Sequence, residues 1–307
     1  MTARDAVDVG KLAILMFLAW LLPARCWRRT AQATRSIGQA DPCWPAYRHI
    51  LKHRYSESEI AGISIRRRVY NREMKLQILG LNAPWHRWHA DIRLNGVAHL
   101  REALSRGSGA ILWVTESSFS TLIVKIALHR AGYRATQLSR PEHGFSTSRF
   151  GIRILNPLWT RVENRFIAER ILIVGDNGSD ALAKLRSRLA DNRIVIITVV
   201  PHAHRFAEVP FRNAKLLLPT GPIRLARTTH ASLLPVFAFA RPDGAFEVSI
   251  EAPLRVSGDD VGDDCVAAAY AERLESFVLQ CPDQWNGWHG LMAGMQYAGW
   301  RPPAEKD

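Results

Sequence analysis

Apolar residues recur at helical spacing through the first ninety positions, then give way to short apolar runs separated by helix-period segments. In "SESEIAGISIRRRVYNREMKLQIL" a Ser and Glu opening precedes Ile60, Ile63, Val69, Met74 and Leu76, which predicts a capped helix. Beyond residue 90 the runs Ile92–Leu94, Ala110–Val114, Ile171–Val174, Ile194–Val200, Leu233–Ala240 and Phe246–Ile250 read as strands. Between them Leu122–Arg130, closed by Gly132, then Asp180–Leu189 and Gly221–Thr229 read as helices. A last helix carries Val266, Tyr270, Leu274, Phe277 and Val278 on one stripe and stops before Pro282. Strands alternating with helices imply crossover connections, so the expected fold is α/β: a mixed, largely parallel sheet flanked by helices. The expected organisation is an N-terminal apolar helix (1–30), a helical region (31–90), an α/β domain (91–295) and a tail (296–307).

The apolar stretch Leu12 to Ala24, "LAILMFLAWLLPA", is followed at once by "RCWRR". It is too short to cross a bilayer, which takes about 20 apolar residues. A signal peptide would need small residues where Arg25 stands. Two readings remain, a core helix and an amphipathic anchor lying in the membrane interface. Trp20, Trp27 and the arginines behind them suit headgroup depth.

Charge sharpens this picture. Lys and Arg number 41 against 28 Asp and Glu, a net +13 spread along the chain. That suits an anionic partner, whether membrane surface, acidic carrier protein or nucleic acid, or else a solvated basic surface. Cys26, Cys43, Cys265 and Cys281 show no paired-ligand spacing, which favours free thiols over disulfides or a zinc site. Walker-type loops, Gly-x-Gly-x-x-Gly and helical His pairs are missing from the sequence. "VGDNGSD" (174–180) reads as a turn into a helix, either a plain capped turn or a phosphate site.

The most informative stretch is "GAILWVTESSFSTLIVKIALHRAGY", a buried strand, a hydroxyl-rich turn and a helix, with Glu116 at the turn. Its surroundings identify a relationship. "NGVAHLREALSRGSGAILWV", "ILNPLWTR", "VPFRNAKLLLPTGPIRLARTTHASLLPVFAFARPDG" and "YAERLESFVLQCPDQWNGWH", in that order over residues 95–290, resemble the bacterial late acyltransferases of lipid A biosynthesis, a branch of the lysophospholipid acyltransferase superfamily. The Thr220-Gly221-Pro222 to Pro235 block is the most specific part.

The resemblance implies a glycerolipid acyltransferase-like fold with an N-terminal membrane-associated helix. It implies acyl transfer from an acyl carrier protein or coenzyme A thioester to a hydroxyl of a membrane glycolipid, with no bound cofactor and no nucleic acid. The implied location is the cytoplasmic face of a bacterial inner membrane. The family's reaction uses a strand-end histidine with an acid five positions later, the base and its orienting carboxylate. Alignment puts Glu116 in the histidine slot and Thr121 in the acid slot. Glu116 therefore has two readings: a helix-terminal carboxylate capped nearby by Ser117 or Ser118, or a base whose pKa a dry pocket has raised. The spacing also occurs in His86 and Asp91, upstream of the aligned slot, where it reads as coincidence. Arg140, Arg149 and Arg153 stand where the superfamily holds the acceptor's phosphate, a task that suits the guanidinium fork. His143, His202 and His204 are candidate bases supplied from elsewhere, and Ser118 and Phe119 are further candidate substrate contacts. Trp113, Phe119 and Leu122 either line an acyl groove or pack the core. The alternative function is a catalytically degenerate homologue that binds lipid or acylated carrier without turnover.

Overall fold

The computed structural model describes residues 3–34, 43–85, 88–175, 178–200, 203, 205–258, 261–288 and 290–291. His86, His202, His204, two residues of the 174–180 turn and the 296–307 tail fall outside them. The chain begins with α1 (Ala3–Leu21), a 3-10 turn (Ala24–Cys26), α2 (Trp27–Ala33), α3 (Trp44–Leu51) and α4 (Glu57–Leu81). The predicted start of α4 holds. Ser56 Oγ accepts from the Glu59 amide and Glu59 accepts from the Ser56 amide, so two otherwise orphaned donors are satisfied.

One face of α1 packs with α2 against α4 through Leu12, Ala19, Trp27, Leu76 and Leu79. Trp27 Nε1 donates to the Ala19 carbonyl at 3.2 Å and Trp20 Nε1 to that of Leu79 at 2.9 Å. The opposite face is unlike that of an ordinary core helix. Val7, Ile14, Phe17 and Leu21 lie along one stripe of it, each more than half exposed. No helix among the described residues is long and apolar enough to cross a membrane. Helix α1 is thus core on one side and exposed apolar surface on the other.

The α/β part runs β1 (Ile92–Asn95), α5 (Val97–Ser105), β2 (Ala110–Val114), α6 (Ser120–Arg130), β3 (Ala135–Ser139), α7 (Arg149–Ile154), α8 (Asn156–Asn164), β4 (Glu169–Leu172), α9 (Ser179–Ala190), β5 (Ile194–Thr198), β6 (Phe206–Phe211), β7 (Ala214–Pro219), α10 (Gly221–Thr229), β8 (Ser232–Ala240), β9 (Phe246–Ile250) and α11 (Asp263–Gln280). The main sheet has the order β1-β9-β8-β2-β5-β3-β4. Its strands β8, β2, β5, β3 and β4 are parallel, while β9 runs antiparallel to β8 and pairs in parallel with β1. A separate antiparallel hairpin is made by β6 and β7.

Alternation along β2 divides the core. Ile111 and Trp113 enter a layer with Leu185, Ile223 and Tyr270, whereas Leu112 and Val114 enter one with Leu122, Ile126 and Val162. Helices therefore cover both faces, as a buried parallel sheet requires. Four strands depart from the sequence expectation. The short polar β3 and the hairpin β6–β7 are additional, and β4 starts at Glu169 and ends at Leu172 because its register follows Thr136–Ser139 of β3.

Gly80, inside α4, lies against Trp27, and a Cβ there would stand 2.2 Å from the indole ring. Gly80→Ala is expected to lower stability by about 1–3 kcal/mol, the usual cost of overpacking, although alanine favours a helix by about 1 kcal/mol. A thermal or urea melt with unchanged or raised midpoint would show that Trp27 is free to move aside.

Candidate functional site

Among the parallel strands, the chain leaves β2 for β3 on one side, with α6 on one face, and leaves β5 for β8 on the other side, with α10 on the opposite face. The connections after these two neighbouring strands diverge, which opens a crevice beyond their carboxyl ends. Ligands bind at such switch points in open α/β sheets. The crevice is here a narrow apolar cleft lined by Val199 and Val200 after β5, Leu216–Leu218 of β7, Leu274 of α11, Trp285 and, as its single acid, Glu116.

Glu116 follows β2 by two residues, and its side chain keeps only part of its surface open. Burial pushes its carboxyl up from 4.5 to about 7, against a smaller downward pull from the Arg67 charge. The helix-terminal reading fails on geometry. Helix α6 begins at Ser120 with Phe119 in the cap position and no side-chain cap, so neither Ser117 nor Ser118 caps it and Glu116 lies outside its first turn. Desolvation outweighs the macrodipole at that position.

A distant segment builds the turn around Glu116. Ser117 and Trp285 form an antiparallel bridge, in which Ser118 N donates to the Gln284 carbonyl at 2.8 Å and Asn286 N to the Glu116 carbonyl at 2.9 Å. Gln284 also closes the end of β8, accepting from Ala240 N at 2.6 Å and donating to its carbonyl at 2.8 Å. From the other side α4 holds the same segment: Arg67 Nε donates to the Trp285 carbonyl at 3.3 Å and Asn71 to Asn286 at 3.2 Å. The hydroxyls are structural. Ser117 Oγ donates to the Ala238 carbonyl and Ser118 Oγ to that of Gln284. Phe119, Trp113 and Leu122 are fully buried, the first between Tyr70 and Phe246, so Ser118 and Phe119 offer no open face. The Thr121 hydroxyl has no hydrogen-bond partner among the described residues.

The second group of expected residues follows β3. Arg140, Arg149 and Arg153 have no side-chain hydrogen bond or ion pair among the described residues; Arg149 and Arg153 are exposed on α7 and Arg140 is half-buried. His143, expected as a candidate base, is instead committed to Glu163, with Nε2 3.0 Å from Oε2. Glu163, fully buried on α8, also accepts from Lys125 Nζ at 2.9 Å, Arg170 Nη2 at 2.6 Å and Trp159 Nε1 at 2.8 Å. Burial alone would raise this carboxyl, but Lys125, His143 and Arg170 together hold it well below the usual carboxylate range. Lys125, equally buried, is pushed down by desolvation to about 8 despite Glu163. Composition pointed to neither Lys125 nor Glu163; a lone Lys in the apolar helix "TLIVKIALHR" was the available signal. A wider polar cleft between α3, the β6–β7 hairpin and α11, with Arg212 paired to Glu275, is built from none of the strand-terminal turns.

Comparison with known proteins bears on residues 83–291, which match a family model described as bacterial lipid A biosynthesis acyltransferase. No curated protein matches the sequence.

The raised carboxyl makes a stability prediction with a definite sign. The folded pKa of Glu116 lies above the ordinary value, so the protonated form favours the fold below about pH 4.5, and that contribution is lost as pH rises through about 7. The charge then costs on the order of 2–3 kcal/mol at pH 8. Glu116→Gln is therefore expected to melt above the native protein at pH 8 and close to it at pH 5. A lower melting temperature at pH 8 would restore the favourable charge–dipole contact in its place.

Proposed function

The chain belongs to the bacterial lipid A biosynthesis acyltransferase family, and from that membership we propose that it moves a fatty acyl group from an acyl carrier protein or coenzyme A thioester to a hydroxyl of a glycolipid acceptor, with Glu116 as the base. The observation that carries this reading is a single carboxyl, raised to about 7, at the switch-point cleft. A group titrating there is partly ionised at neutral pH and holds a proton well enough to return it. The acceptor oxygen attacks the thioester carbonyl as Glu116 takes its proton; the C–S bond breaks, and the protonated carboxyl gives that proton to the departing thiolate. An ester and a free thiol result, and no bound cofactor is needed. Arg140, Arg149 and Arg153, with no partners of their own among the described residues, take the acceptor's phosphate.

The acceptor reaches the site from a membrane surface. The outer stripe of α1 is joined in apolar exposure by Trp85, edge-on to Trp20, and by Ile154 of α7, each more than half exposed. Leu155 and Leu158, beside Ile154, pack in the same cluster as α1, so these apolar side chains belong to one side of the protein. Exposed Arg25 and Arg29 follow α1, and Arg149 and Arg153 flank Ile154. Apolar side chains with cations beside them match an anionic headgroup layer, which is the arrangement of an interfacial rather than a spanning helix. The cytoplasmic face of a bacterial inner membrane fits both this surface and the thioester donor.

Two tests separate these elements. Glu116→Gln should reduce acyl transfer by about two to four orders of magnitude, and the native rate should rise with pH to a plateau above about 7. Turnover retained in the variant, or a flat pH profile, would put the base elsewhere, and an absence of turnover in the native protein would favour the alternative homologue that binds lipid or acylated carrier without catalysing. Phe17→Glu with Leu21→Glu should weaken partition onto anionic vesicles by about a hundredfold or more, from the loss of two inserted apolar side chains, while leaving the melting temperature near native. Unchanged sedimentation with vesicles would remove the α1 stripe from the membrane surface. Mass spectrometry of membrane lipids with and without the gene identifies the acceptor.

A further inference from the structure

We infer that Asn156 is a positioning residue for anion recognition: it holds the loop from Pro141 to Ser146 in the one form that sets Arg140, at the loop's start, and the nearby Arg149 and Arg153 to face a common phosphate. The inference rests on the reading of those three arginines given above. Asn156 opens α8 with its side chain buried, and both ends of its amide are spent on the loop. Its Oδ1 accepts from the amides of Phe145 at 2.8 Å and Ser146 at 3.0 Å. Its Nδ2 donates to the carbonyls of Pro141 at 3.0 Å and Ser146 at 2.9 Å. Four bonds from one side chain to the backbone of an irregular loop replace the ladder that such a loop lacks. Gly144 makes the approach possible. It adopts φ +150, and a Cβ there would stand 2.6 Å from the amide carbon of Asn156.

The staple is one of two anchors on this loop. The loop is also fixed from within the core by His143, whose partner Glu163 takes Lys125 from α6, the helix that follows Glu116. The two anchors thus tie the base turn and the arginine loop to one rigid body, while the three guanidiniums stay uncommitted among the described residues. Cationic side chains without ion pairs attract an anion, and a prebuilt loop spares it the entropy of ordering the backbone between them.

The test uses the full chain and inorganic phosphate as the probe, titrated at constant ionic strength against chloride and followed by NMR, with amide exchange at Phe145 and Ser146 read in parallel. Asn156→Ser removes the staple without adding charge, and Gly144→Ala displaces the same amide from the other side. Both are expected to weaken phosphate binding by about tenfold or more, as misplaced contacts do, and to speed exchange at Phe145 and Ser146 while leaving Leu112 and Val114 of β2 at native rates. Arg149→Ala with Arg153→Ala should weaken phosphate equally and leave exchange unchanged. Faster exchange with phosphate affinity within about twofold of native, or native exchange in both staple variants, overturns the positioning role. A native protein that fails to bind phosphate overturns instead the assignment of the arginines, and this inference with it.

Discussion

The antiparallel bridge between Ser117 and Trp285 is the constraint on which the rest of the site depends. It joins the turn after a central strand to a segment about 170 residues further along the chain, through backbone bonds that hold whatever the side chains are. Gln284 adds the end of β8 to the same knot, and Arg67 and Asn71 of α4 bring in the N-terminal helices. Four parts of the chain therefore meet over the carboxyl edge of the sheet. That roof leaves Glu116 only partly open to water, and the desolvation that raises its pKa follows from being roofed. A parallel sheet alone would leave the turn open to solvent and its carboxyl ordinary.

Two carboxyls, one partly and one fully enclosed, show how one fold sets opposite protonation states. Glu116 faces leucine and valine side chains with one offset cation and is pushed up to about 7. Glu163 is more deeply enclosed, yet the Lys125 and Arg170 cations, the His143 ring and an indole N–H converge on it, and it stays ionised. Burial raises both, and only the donors differ. Environments that drive two acids apart are the mark of assigned roles in enzymes. Here one acid is free to exchange a proton, and the other is a fixed anion that neutralises Lys125 and Arg170 inside the protein. Removing the second would leave those cations buried and uncompensated, which is more costly than losing the pair as a whole.

Much of this was legible in the sequence. The runs at Ala110–Val114 and Phe246–Ile250 and the helix at Gly221–Thr229 coincide with observed elements, because each is an apolar pattern bounded by Gly, Pro or a polar turn. Strand β3, "ATQLS", was not, since it places Thr136 and Gln137 in the interior and carries no apolar run. The hairpin β6–β7 hid behind Pro210 and Pro219, residues that argue against central strands but fit a two-stranded pair. The location of Glu116 followed from local pattern; its pKa did not. Local sequence supplied only a helix start, from which a lowered value follows, whereas the desolvation comes from β7, α11 and Trp285, all far away in sequence.

The excess of arginine, read from composition as an attraction to anions, divides on inspection of partners. Arg170 serves Glu163, Arg227 pairs with Asp263 and Arg188 with Glu169, so part of the basic balance is internal structure. What composition cannot distinguish is the remainder: Arg140, Arg149 and Arg153 have no ion pair among the described residues, and they lie around one loop held by Asn156 and His143. A net charge spread evenly along the sequence is thus uneven in function. The arginines proposed for recognition are those the fold leaves without an ion pair among the described residues, beside a backbone held by side chains. By the same logic the apolar stripe of α1 matters because half of an otherwise ordinary core helix was left uncovered beside them. Uncommitted cations and uncovered apolar surface are each costly in water, which is the physical ground for the membrane surface proposed above.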